Sequence, residues 1–108
     1  MSPTRRERIE AMLTAEPGDP FLRYSLAMEL EKEGDHDASL ARLHELMAEK
    51  PPYVAAFFRA GQQCAGLGRT NEARAALRQG IEEARRAGDA HAAGEMSEFL
   101  ASLGSQGE

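Results

Sequence analysis

Pro17 and Pro51 stand 34 residues apart, as do Gly34 and Gly68, and Ile9, Leu43 and Leu77 follow one another at the same interval. An internal period of this length is that of a helix-turn-helix unit that buries its apolar face only by stacking on copies of itself. The chain is therefore read as repeats first and as individual elements second. At 108 residues it has room for one such stack and no second domain.

Between the punctuation marks the apolar residues recur at helical spacing, and no stretch alternates as a strand would. Ser2-Pro3 reads as a helix start, and Ile9, Met12 and Leu13 form the buried face of a first helix that stops near Glu16-Pro17-Gly18. Asp19-Pro20 repeats the start signal for a helix ended by Gly34. Asp35 or Asp37 caps a third, with Leu40, Leu43, Leu46 and Met47 inward, that Pro51-Pro52 terminates. A fourth runs from about Tyr53 to Leu67. Thr70 or Asn71 opens a fifth, with Ala73, Leu77, Gly80, Ile81 and Ala84 inward. Gly80 stands where Met12 and Leu46 stand one and two periods earlier, which points to close approach of helices. Asp89 caps a last helix carrying Ala92, Met96, Phe99, Leu100 and Leu103 on its face. Placing Gly104 in the series of Gly34 and Gly68 gives a last interval of 36, so the fifth helix or its following turn is longer by about half a turn.

These features resemble the tetratricopeptide repeat family, in the form of a small bacterial-type protein. Tyr24, Leu26, Ala27, Leu30, Gly34, Ser39, Leu43 and Pro51 carry the likeness in one repeat, and Phe57, Ala60, Gly61, Cys64, Gly68, Ala73 and Leu77 in the next. Arg23, Cys64 and Arg85 depart from the pattern, where the family favours Trp, Tyr and Pro. The resemblance implies an all-α fold of about six helices, antiparallel pairs stacked into a right-handed superhelix. Its expected divisions are a leading half-repeat over 3–17, full repeats over 20–53 and 54–87, a trailing helix over 89–103 and a disordered tail over 105–108. The flanking half-repeats are expected to be needed for stability.

In the first helix of repeat one, Leu22, Leu26, Ala27 and Leu30 account for packing, while Phe21, Tyr24 and Met28 fall on a second stripe. Ala55, Phe58 and Gln62 occupy matching places one period on. The resemblance implies that this stripe lines a concave groove for a peptide or a partner helix, with Glu31, Lys32 and Glu98 as rim charges. The same side chains can instead pack between repeats. Tyr24 and Met28 stand where repeats that clamp a chaperone's C-terminal carboxylate place Lys and Asn, so that use is not expected.

The formal charge of -5 disfavours nucleic acid, although Arg74, Arg78 and Arg85 offer one basic face as a less favoured anion site. A solvated helix face, with Glu72, Glu82 and Glu83 interleaved, is the plainer reading. No apolar run approaches the roughly 20 residues of a membrane span, and the opening segment lacks the core of a signal peptide. With one cysteine, no internal disulfide can form, and the expected compartment is the cytoplasm.

Catalytic signals are weak. His36, His44 and His91 are scattered without metal-ligand spacing, Cys64 sits on an apolar face, and Gly66-Leu67-Gly68 reads as a helix end rather than a nucleotide loop. No enzyme activity, metal or cofactor is expected. The sequence points to a protein-interaction module with a protein or peptide partner, or else to a self-associating subunit forming a homodimer.

Overall fold

The structure, a computed structural model, describes residues 2–107, the side chains of 105–107 excepted. Six helices follow one another: α1 (Arg5–Ala15), α2 (Pro20–Lys32), α3 (His36–Met47), α4 (Val54–Gly66), α5 (Thr70–Arg86) and α6 (Ala90–Gly107). There is no strand among the described residues. Each helix packs on the next, α2 on α3, α4 on α5 and α5 on α6, so the molecule is an all-α stack of helix pairs. Residues 105–107, expected in a tail, continue the backbone of α6, and Glu108 lies outside the described residues.

One local device closes three helices. Gly34, Gly68 and Gly88 adopt positive φ of 83°, 78° and 74°, which only a residue without Cβ takes freely. Beyond each, an amide reaches back five residues: Asp35 N to Leu30 O at 2.9 Å, Arg69 N to Cys64 O at 2.8 Å and Asp89 N to Ala84 O at 2.8 Å. These bonds satisfy carbonyls that the helix end would leave bare. The same turn places the residue after glycine at the N-cap of the next helix. Asp35 and Asp89 use that place, accepting from Ala38 N and Ala92 N, as Asp19 accepts from Leu22 N.

Two expected starts move for this reason. Arg69, not Thr70 or Asn71, occupies the N-cap of α5, because the turn at Gly68 has already carried Thr70 into the helix; Arg69 offers no acceptor, and α5 begins without a side-chain cap. At the other end, Thr4 rather than Ser2 caps α1. Thr4 Oγ1 accepts from Glu7 N at 3.1 Å while Glu7 Oε1 accepts from Thr4 N at 2.8 Å, a reciprocal pair that Ser2, with Arg5 three residues on, cannot form. These bonds hold the Glu7 carboxyl below its ordinary pKa.

The N-caps Asp19, Tyr53 and Asp89 are spaced by 34 and 36 residues. The longer interval resides in α5, which has 17 residues against 12 in α3 and continues where Pro51-Pro52 breaks the earlier copy. Phe57, Leu43, Leu46, Leu77 and Met96 are fully buried in the main core. Gly80 lets the helices close: a Cβ there would lie 2.5 Å from Phe57 Cβ and 2.6 Å from Met96 Sδ. A Cβ at Gly61 would lie 2.8 Å from the Leu77 side chain.

A buried polar chain ties three helices together. His36 Nδ1 donates to Gln63 Oε1 at 2.7 Å, Gln63 Nε2 donates to Ser39 Oγ at 3.1 Å, and Ser39 Oγ donates to Ala27 O at 2.7 Å. Every buried polar atom of Ser39 and Gln63 is thereby satisfied, which removes the desolvation cost each would otherwise carry.

α1 packs on α2 through a separate small cluster of Ile9, Leu26 and Leu30, with Leu13 against it. Met12, expected on the buried face, is 49% exposed. Its counterparts Leu46 and Gly80 lie in helices that pack on both the helix before and the helix after, whereas among the described residues α1 packs on α2.

Candidate functional site

Four of the six expected groove residues come together. Tyr24 from α2 and Ala55, Phe58 and Gln62 from α4 line a concavity of about 360 Å³, whose far wall is α6 through Asp89, Ala92, Glu95 and Met96. The floor is aromatic and braced from outside. Tyr24 leans on Tyr53 with ring centroids 5.4 Å apart, and Phe58 meets Phe99 edge-on at 5.9 Å. Burial, then the neighbouring Tyr24, push the Tyr53 phenol above its ordinary pKa. Both Tyr24 and Phe58 keep part of their surface open, whereas Phe57, one residue away, is fully enclosed.

Met28 borders the concavity through Arg59. The guanidinium of Arg59 donates to Met28 Sδ at 3.4 Å and stands 3.9 Å from Glu31 Oε1, while its Nε is buried without a hydrogen-bond partner. Sulfur accepts weakly, so this arginine is held more by packing and by the Glu31 charge than by hydrogen bonds. Glu31 thus occupies a rim position, and Glu98 is exposed on α6.

Two residues of the expected set lie elsewhere. Phe21, 62% exposed, faces α1 and lines a smaller hollow of about 160 Å³ with Arg5, Arg8 and Met12. Lys32 also turns that way: its Nζ is 3.2 Å from Glu29 Oε2, which is itself 3.2 Å from Arg5 Nε of α1. Phe21 stands in the first turn of α2 and lines the hollow on the α1 side, while Tyr24, three residues on, lines the one shared with α4; periodicity alone did not separate the two directions.

Arg59, Asp89 and Glu95 line the groove without having been expected there. Asp89 reads from sequence as a cap, and it is one, with a second carboxylate oxygen to spare. Arg59 and Glu95 are 36 residues apart, the interval between the N-caps of α4 and α6, so they are equivalent positions of successive repeats carrying opposite charge. That register was the available signal. A larger hollow of about 570 Å³ lies between the end of α3, Pro51-Pro52 and α5, and holds none of the expected groove residues. Arg86 there is already paired with Glu82 and Glu83.

Of the basic face, Arg74 reaches Leu103 O at 3.4 Å, and Arg78 and Arg85 are exposed. Cys64 is buried, and desolvation, followed by the nearby Glu72 carboxylate, pushes its thiol above the ordinary pKa, which disfavours the reactive thiolate. Among the described residues no group of three His, Cys, Asp or Glu side chains could hold a metal ion.

No protein-family model matches the chain, and no curated protein does. Solved structures do. A tetratricopeptide repeat domain protein from Salinibacter ruber, in its solution structure, is 34% identical over 81% of this chain and 88% of its own, with a TM-score of 0.76. The chain belongs to the tetratricopeptide repeat family. The crystal structure of a Salinibacter ruber tetratricopeptide repeat domain protein agrees at 33% identity, 81% and 97% coverage and a TM-score of 0.73. A Bordetella parapertussis protein in solution is 28% identical over 97% of this chain and 91% of its own, with a TM-score of 0.82. The concavity lies among α2, α4 and α6. Among the described residues no helix is long and apolar enough to cross a membrane.

Proposed function

We propose that this tetratricopeptide repeat domain is a non-catalytic interaction module of the cytoplasm that takes a peptide segment or helix of a protein partner into the groove between α2, α4 and α6. The observation that supports it is the convergence of Tyr24, Ala55, Phe58 and Gln62 on one hollow. Residues 34 apart in sequence share it, and the two aromatic rings in its floor remain partly open to solvent. Rings held by Tyr53 and Phe99 lose little freedom when a partner covers them, which makes them efficient anchors.

Affinity capture from lysate of the source organism, with the wild type beside a folded Tyr24→Ala/Phe58→Ala variant, tests the reading. A protein retained by the wild type and lost by the variant is the expected result; identical captures would overturn it.

Self-association is the second reading, favoured by Met12 and Phe21, which leave apolar surface uncovered at the α1 end of the stack. Light scattering across a dilution series should then show a dimer that dissociates at low concentration, and a Met12→Lys/Phe21→Lys variant that stays monomeric throughout. A constant monomer mass removes this reading and leaves the groove untouched.

A further inference from the structure

We propose that the segment received by the groove is basic: an amphipathic helix with an apolar anchor for the Tyr24–Phe58 floor and a Lys or Arg one turn away, facing α6. The inference rests on the groove reading and adds the chemistry of the partner. Its ground is the distribution of charge. The α6 wall presents the carboxylates of Asp89 and Glu95, and among the described residues neither has a Lys or Arg partner. Glu95 meets only His91 Nε2 at 3.4 Å, a cation solely when protonated. Asp89 gives one oxygen to the Ala92 amide and keeps the other. Glu98, one turn beyond Glu95, extends the acidic edge into solvent.

The one guanidinium in the hollow does not offset them. Arg59 is on the opposite side, faced by the Glu31 carboxylate at 3.9 Å. The groove and its rim therefore hold three carboxylates, Glu31, Asp89 and Glu95, against one arginine, with Glu98 exposed farther along α6. An acidic segment would meet uncompensated repulsion along α6. A neutral one would leave these carboxylates facing a desolvated interface with no counter-charge, which costs more than leaving them in water. A hollow of about 360 Å³ admits one or two apolar side chains, not a folded domain. A helix suits it because residues three or four apart lie on one face, letting one residue fill the floor while the next turn reaches the acid wall.

Selection from a random-peptide display library against the full chain tests this, followed by binding of the selected pool to two variants. Glu95→Lys/Glu98→Lys reverses two exposed charges and preserves the fold; Tyr24→Ala/Phe58→Ala, its helicity checked by circular dichroism, removes the floor. The expected pool is enriched in Lys and Arg beside aromatic or leucine residues, weakens steeply with added salt, and binds the charge-reversed variant about tenfold less well. A pool with neutral or acidic bias, or one indifferent to charge reversal, overturns the basic-partner inference. If such a pool still requires Tyr24 and Phe58, the groove reading survives. A pool indifferent to both variants, or no enrichment above an unrelated helical protein, overturns both.

Discussion

Phe57→Ala is expected to lower the unfolding free energy by about 3–5 kcal/mol, the range for removing a fully enclosed aromatic ring from a packed core. Phe57 is the largest side chain in the molecule with no exposed surface, and it sits on α4, in the middle of the stack. Its Cβ and Cγ lie beneath Gly80 of α5, the position that sets how closely those helices pack. Domains of this size have roughly 5–15 kcal/mol in total. In a linear stack each repeat is stabilised chiefly by its neighbours, so a loss in the middle is not made up by contacts from elsewhere. The thermal transition should fall well below that of the wild type in a circular dichroism melt. Tyr24→Ala provides the internal comparison, because Tyr24 is only half-buried and lines the open hollow. It should cost clearly less, and equal losses would mean that Tyr24 is core rather than groove.

What could be read from the sequence follows the range of the interactions involved. Helix ends were legible because they depend on a few adjacent residues: Asp19, Gly34, Asp35, Gly68 and Asp89 act through bonds spanning three to five positions. The errors at Ser2 and Thr70 are of the same local kind, decided by whether residue three on can return a bond and by where a glycine turn leaves the chain. Gly80 was legible through the repeat, which placed it opposite Leu46 and so marked it as buried.

Burial that depends on which neighbour is present was less legible. Met12 keeps the register of Leu46, but among the described residues α1 packs on α2, where α3 packs on both α2 and α4. Phe21 and Tyr24 share a stripe by periodicity, yet one lines the hollow against α1 and the other the groove against α4 and α6. The bond from His36 to Gln63 spans 27 residues and two helix boundaries. Nothing local in either segment marks it. The acid wall of the groove was legible only through the 36-residue interval, which sets Glu95 in register with Arg59 where the strict period of 34 does not.

Gly80→Leu is expected to cost more than about 3 kcal/mol, and Gly80→Ala to be destabilising even though alanine favours a helix over glycine by roughly 1 kcal/mol. The first atom added is the decisive one. A Cβ at residue 80 would meet Met96 Sδ at 2.6 Å, and that sulfur can swing aside. It would also meet Phe57 Cβ at 2.5 Å, an atom fixed to the α4 backbone, so relief requires α4 and α5 to separate. Phe57→Ala cannot rescue the clash, because alanine keeps that Cβ. Gly94→Ala is the control: Gly94 lies in α6, is exposed and has nothing within 4 Å of an added Cβ, so the same substitution should stabilise by about 1 kcal/mol. Opposite signs in denaturant unfolding would establish close approach, not helix propensity, as the role of Gly80; matching signs would refute it. The consequence reaches the groove. Phe57 and Met96 belong to α4 and α6, the helices that form its floor and acid wall, and both rest on Gly80. A Gly80→Ala protein that still folds should hold those walls farther apart and bind the selected peptide pool more weakly than the wild type, from a position that never touches the ligand.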